Sequence, residues 1–321
     1  VMQNSVNHIA QSYSKIYRES GIQNIAVLVL ETRSGNVLAY VGNSGSLLAE
    51  NGWVDVIPSL RSPGSTLKPV LYASMVGKGE LMPRMFIPDF PMNADGYIPQ
   101  NFDGGWYGAL PADDALCRSV NVPFVRLLQK NGIVQFNETL KSLGITSLSK
   151  SPAHYGLSII LGGAETSLWE MTGMYASMGR LLLNYGVNSG RFNQSDIHPP
   201  RLFNKEDSWN YSQFVGFPVS PSGLWAMTEA LQKPERPDME RGWEYFSTSR
   251  KMAWKTGTSF GFRDAWAIGM DPEYTVGVWV GNANGASAAG LIGIVKAAPV
   301  LFDVFALLPK SKTWFPAPYD D

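Results

Sequence analysis

The β-forming stretches of this 321-residue chain lie at its two ends. Residues 24–30 (Asn-Ile-Ala-Val-Leu-Val-Leu) and 36–41 are apolar and β-rich, with Ser34-Gly35 between them, so they predict a hairpin. β patterns return only at residues 250–259, 265–269 and 274–281, the last two joined by the turn Met270-Asp271-Pro272-Glu273. The intervening chain carries helical patterns at 113–117, 123–130, 135–143, 167–183 and 221–231, and a last helix is expected over 296–308. Residues 80–115 are rich in Pro, Gly, Asp and Asn and read mostly as loop. The economical fold is α+β. One central antiparallel sheet is built from both chain ends, flanked by helices on both faces, with a mainly helical subdomain inserted between. Residues 1–20 form an amphipathic helix through Ile9, Tyr13 and Ile16, read as a linker from an upstream domain. The main domain covers 21–309, and 310–321 is a proline-containing tail.

Composition removes several function classes. The 26 basic and 27 acidic residues balance, leaving no electrostatic case for nucleic acid. The one cysteine, Cys117, excludes an intrachain disulfide. It reads as a small buried residue. The longest apolar run, near residues 25–30, is far short of the roughly 20 residues a membrane helix needs. His8, His154 and His198 have no metal-ligand spacing, and the tryptophans read as core or loop anchors.

The stretch Arg61-Ser62-Pro63-Gly64-Ser65-Thr66-Leu67-Lys68-Pro69 points to chemistry. Pro63 and Gly64 break the chain. A helix is expected from Ser65, with Leu67, Val70, Leu71, Ser74 and Met75 on one stripe. Ser65 then stands at a helix N-terminus, where free N–H groups favour developing negative charge. Lys68 lies one turn away, and an adjacent amine can activate a serine.

Ser-x-x-Lys alone is a weak signal, since it also occurs at Ser12/Lys15 and Ser147/Lys150. Only the Ser65 copy opens an apolar helix after a Pro-Gly turn. Ser-x-Asn occurs four times, and Ser119-Val120-Asn121 is the copy between two predicted helices. Lys-Thr-Gly occurs once, at Lys255-Thr256-Gly257, on a predicted edge strand. Ser-x-x-Lys, Ser-x-Asn and Lys-Thr-Gly in this order and context form one constellation.

On these residues the chain resembles the transpeptidase domain of class A penicillin-binding proteins over about residues 24–308. The segments Leu161-Gly162-Gly163-Ala164-Glu165 and Arg263-Asp264-Ala265-Trp266 are also similar to family segments, and residues 254–266 look most like the penicillin-binding protein 1C branch. The resemblance implies the penicillin-binding protein/serine β-lactamase-like fold. It further implies a serine D,D-transpeptidase that cross-links peptidoglycan stem peptides ending in D-Ala-D-Ala, releases D-alanine, and is acylated by β-lactam antibiotics. Ser65 would be the nucleophile and Lys68 its base. Ser119 would relay a proton to the leaving group, Lys255 would polarise Ser119, and Asn121 would hold substrate and orient Lys68. Thr256 and Thr258 would bind the terminal carboxylate, beside Gly257, with the Ser65 and Thr258 N–H groups as the oxyanion hole. No cofactor and no metal are implied.

The family would act on the outer, periplasmic face of the bacterial inner membrane, attached only through an upstream anchor outside these residues. It also implies an upstream glycosyltransferase domain and, for the 1C branch, a further C-terminal domain. A D,D-carboxypeptidase or a penicillin-sensing domain would use the same acyl-enzyme. A class A β-lactamase would need a deacylating Glu-x-x-Leu-Asn loop. Glu206-Asp207-Ser208-Trp209-Asn210 lacks the leucine and is taken as a chance match. Arg263 and Asp264 fit either a structural pair or a cleft lining.

Overall fold

The computed structural model describes residues 1–44, 51–94, 96–202, 214–233 and 250–318. Helix α1 (Met2–Arg18) precedes β1 (Asn24–Glu31) and β2 (Val37–Val41), the expected hairpin. A 3₁₀ turn, Gly64–Leu67, runs directly into α2 (Lys68–Gly77). The loop-rich stretch then contains a short hairpin, β3 (Phe86–Asp89) with β4 (Gly108–Pro111). Five helices follow: α3 (Ala112–Cys117), α4 (Asn121–Asn131), α5 (Ile133–Ser142), the short α6 (Pro152–Tyr155) and α7 (Leu168–Tyr185). A two-residue ribbon, β5 (Phe192–Asn193) with β6 (Phe214–Val215), precedes α8 (Pro221–Ala230). The chain closes with β7 (Ala253–Thr258), β8 (Asp264–Met270), β9 (Tyr274–Gly281) and α9 (Ala298–Leu307).

The main sheet has the order β2-β1-β9-β8-β7, with every neighbour antiparallel. Both chain ends therefore build it, as the distribution of β patterns requires. β1 is buried on both faces, which explains why it reads as a continuous apolar run. Its alternate residues feed two cores. Ala26, Leu28 and Leu30 join the core beneath α2, α4, α5, α7 and α8, whereas Ile25, Val27 and Val29 join the core beneath α1 and α9.

Helix α1 packs most of the expected stripe, with Ile9 and Tyr13 partly buried against the core, and extends it to neighbouring residues. Val6, Ala10 and Tyr17 are buried, whereas Ile16 is exposed. Tyr13 and Tyr17 anchor this face: their hydroxyls donate to Asp303 Oδ2 (2.8 Å) and to the Lys296 carbonyl (3.0 Å). Residues 310–318 also dock, with Phe315 buried and Trp314 Nε1 donating to Glu229 Oε1 at 2.8 Å. Helix α7 begins with a complete capping box, Ser167 with Glu170. Trp254, Trp266 and Trp279 are core residues. Among the described residues no helix is long and apolar enough to cross a membrane.

Candidate active site

Ser65 lies within the 3₁₀ turn, one step before the α-helix that its spacing predicts, and α2 is buried through residues 68–75 rather than on one stripe. Backbone contact fixes this turn. Gly64 has φ +55°, and a Cβ there would lie 2.6 Å from Thr258 N. A Cβ at Gly257 would lie 2.2 Å from the Pro63 carbonyl oxygen. Two glycines thus let the Ser65 turn press directly on β7. Trp266 Nε1 donates to the Ser62 carbonyl (2.8 Å), Ser62 Oγ donates to the Gly162 carbonyl (2.8 Å), and Tyr175 OH donates to the Thr66 carbonyl (2.8 Å). Gly162 comes from the segment 161–165 that the family resemblance singles out.

Ser119 stands in the link between α3 and α4. It occupies the left-handed position after the α3 C-cap, with φ +58°. Ser119 N–H donates to the Leu116 carbonyl (3.1 Å) and Val120 N–H to the Ala115 carbonyl (3.0 Å). This is the Schellman pattern, with serine where glycine is usual. The strained backbone carries a side chain that the cleft uses.

The two lysines meet at this serine. Lys68 Nζ donates to the Ser119 carbonyl (2.8 Å), the Val120 carbonyl (3.2 Å) and Asn121 Oδ1 (2.7 Å), and lies 3.5 Å from Ser119 Oγ. Lys255 Nζ donates to Ser119 Oγ (2.7 Å) and to the Thr256 carbonyl (2.8 Å). Ser65 Oγ has no hydrogen-bond partner among the described residues and opens onto a cavity of about 560 Å³. Ser119, Asn121, Lys255, Thr256, Gly257 and Thr258 line the same cavity. All three motifs are therefore brought together. Lys68 closes the floor behind them.

Burial governs the charges. Lys68 is fully buried, and loss of water, then repulsion from Lys255, holds its amine well below the ordinary lysine range. Burial pulls Lys255 down to about 7. Burial pushes the Cys117 thiol, also on the cavity wall, up to about 11, which keeps it protonated.

The outer edge of β7 faces the cavity. Ser259 N–H donates across to the Asp264 carbonyl (2.9 Å), so by strict alternation residues 255 and 257 also point their N–H groups at β8. The N–H groups of Trp254, Thr256 and Thr258 point outward. Trp254 confirms that direction, donating to the Leu231 carbonyl at 3.1 Å. Thr258 Oγ1 accepts from Gly293 N–H (3.0 Å), leaving its own hydrogen free to donate. Phe102, Ile292 and Ile294 form an apolar wall; Arg118 and Lys233 lie on the cationic side.

Asp264 settles the open pair: it is buried, accepts from Trp279 Nε1 (3.0 Å) and belongs to the scaffold. Residues 206–210, the chance match to a deacylation loop, lie outside the described residues. Sequence reasoning missed Asn101 and Gln100 of the β3–β4 loop and Asp89 at the end of β3, which hold the second motif. Their separation from Asn121 leaves no periodic signal.

A family model, the penicillin-binding protein transpeptidase domain, matches residues 25–300. Penicillin-binding protein 1C of Escherichia coli (strain K12) is 31% identical over 290 residues, covering 89% of this chain and 34% of that protein. Penicillin-binding protein 1A of Aquifex aeolicus (strain VF5) is 29% identical over 303 residues, covering 89% and 38%. The chain thus spans little more than a third of the length of these relatives. The fold is similar to that of the PonA1 protein from Mycobacterium tuberculosis, solved in complex with penicillin V. The TM-score is 0.75 at 20% identity, covering 99% of this chain and 86% of that one.

Proposed function

Because the chain belongs to the penicillin-binding protein transpeptidase family, we propose that it is a serine D,D-transpeptidase acting on peptidoglycan stem peptides that end in D-Ala-D-Ala. The observation that carries this reading is the continuous polar chain Lys68–Ser119–Lys255, beside a nucleophile whose hydroxyl is unengaged.

The peptide enters alongside β7, its backbone meeting the outward groups of Thr256 and Thr258. Its terminal carboxylate accepts from the two threonine hydroxyls under the positive potential of Lys255. Neutral Lys68 takes the proton of Ser65 Oγ as that oxygen attacks the carbonyl carbon between the two alanines. The Ser65 and Thr258 N–H groups stabilise the resulting oxyanion. Ser119 gives its proton to the departing alanine nitrogen and recovers one from its lysine neighbours. An ester on Ser65 remains. An amine of a second stem peptide then attacks that ester, forming the cross-link and returning the proton to Ser65. A β-lactam acylates Ser65 by the same first step, its opened ring remaining attached. We place this chemistry on the outer, periplasmic face of the bacterial inner membrane, where its polymer substrate lies.

Labelled penicillin tests the reading. A stable adduct at Ser65, absent in Ser65→Ala, is the expected result, and a purified stem-peptide substrate should yield cross-linked dimer. Rapid turnover of the penicillin would mean a β-lactamase. Release of D-alanine without dimer would mean a carboxypeptidase.

A further inference from the structure

Helix α4 begins at Asn121 with an N-cap residue, Val120, whose side chain cannot accept a hydrogen bond. The first N–H groups of this helix need an acceptor from elsewhere. Asn101, in the β3–β4 loop, supplies it. Its Oδ1 accepts from Asn121 N–H (3.0 Å) and Val122 N–H (3.1 Å). Its Nδ2 is aimed by Asp89, at 2.9 and 3.0 Å from the two carboxylate oxygens, and also donates to the Gly105 carbonyl (2.9 Å). Asn101 is 6% exposed and Asp89 fully buried, so neither bond competes with water.

The preceding residue of the same loop, Gln100, acts on the Asn121 side chain. Asn121 Nδ2 donates to the Gln100 carbonyl at 2.9 Å, and Oδ1 accepts from Lys68 Nζ at 2.7 Å. Turned over, the amide would present N–H hydrogens to the lysine and oxygen to the carbonyl. Gln100 therefore selects the orientation that offers Lys68 an acceptor.

We propose that Asp89 and Asn101 are positioning residues for acylation: they clamp the β3–β4 loop onto the start of α4 and so hold Asn121 Oδ1 against the Lys68 amine. Resting on the functional reading above, the inference assigns a catalytic duty to a hairpin that touches no reacting atom through these two side chains. The carboxylate locks the Asn101 amide, the amide caps α4, and the Gln100 carbonyl carried by that loop locks Asn121.

The test is the rate of acylation of the whole chain by a fluorescent penicillin at rising concentration, which separates the saturating rate constant from the half-saturation concentration. Asn101→Ala should lower the saturating rate constant about 10- to 100-fold, the scale of a misplaced catalytic group, with half-saturation nearly unchanged. Asn101→Asp alone sets two carboxylates face to face and should be slow. Asp89→Asn alone should also be slow, because its amide can no longer be relied on to present an acceptor to Asn101 Nδ2. Combining the two changes restores a donor opposite an acceptor and keeps an oxygen on the helix start, while the Gly105 carbonyl still lacks its donor, so the pair should be clearly faster than either single change without reaching the parent rate. Three results would overturn the inference: parent-like acylation by Asn101→Ala, a loss no larger than the loss of folded protein seen by circular dichroism, or a double exchange no faster than the singles. If Asn101→Ala does not fold, the double exchange alone decides. A parent chain that penicillin never labels would instead overturn the functional reading.

Discussion

The two serines of the cleft are held in opposite ways. Ser65 is placed by backbone touching backbone, with Gly64 and Gly257 removing the side chains that would separate its turn from β7. Ser119 is placed by a strained backbone in a glycine-type position, and its neighbour Asn121 by hydrogen bonds from a distant loop. In the proposed mechanism Ser65 is the nucleophile and must not move during attack, and close packing is the stiffest constraint available. In the same mechanism Ser119 is the relay and must exchange protons, and a polar network tolerates a change of hydrogen-bond direction that packing would not. The division also sets where damage falls: volume changes should hurt the first serine, and polarity changes the second.

The largest effect is expected at Gly257→Ala. With the new methyl directed at the Pro63 carbonyl, the turn and the strand must part. Stability should fall by about 1–3 kcal/mol in denaturant melts, and penicillin labelling by about 100-fold. Labelling at the parent rate would show that this contact does not position Ser65.

Next comes Lys255→Met, which sharpens the electrostatic side. In the folded chain the Lys255 amine titrates near 7, against 10.5 for an ordinary lysine. Between those values the unfolded chain holds more protons, so folding stability rises with pH across that window. The methionine variant should lose acylation yet melt higher than the parent below pH 7. Its advantage should shrink toward pH 10, as measured by parallel thermal melts. An advantage independent of pH would break the argument. Acylation by the parent should itself weaken on acidification, because the proposed mechanism needs a neutral Lys68 to accept the Ser65 proton.

The smallest effect compares Ser119→Gly with Ser119→Ala. Both remove the hydroxyl and should label poorly. Glycine accepts φ +58° freely, so it should be the more stable by about 1 kcal/mol. Equal melting temperatures would mean that the left-handed serine stores no strain.

The meeting of the three motifs was readable from the chain. Ser65, Lys68, Ser119, Asn121 and Lys255 announce themselves because serine, amide and lysine recur at short fixed spacings within turn and helix signals. The five-stranded sheet was readable because β patterns occupy only the chain ends. Asn101 and Asp89 were not readable: they act through hydrogen bonds to a helix start 20 residues away, and no period marks such a bond. The contact of Gly64 with Thr258 was equally silent, since an absent side chain carries no pattern of its own. The inward face of helix α1 was legible in Ile9 and Tyr13 but not at Ile16, which is exposed while Tyr17, one residue on, is buried with its hydroxyl bonded to the Lys296 carbonyl.

The pairing of β1 with β9 has a kinetic consequence. Gln23 N–H reaches Asn282 Oδ1 across 259 residues of chain. During synthesis at about 5–20 residues per second, the first hairpin waits roughly 10–50 s for that neighbour. Until then the edge of β1 that β9 will cover is unpaired, a template for other chains. The wait is also a safeguard. Because β7 arrives with the same late segment and supplies Gly257 and Lys255, Ser65 acquires its surroundings only when the sheet closes. A nascent or truncated chain therefore carries the serine without the reactivity.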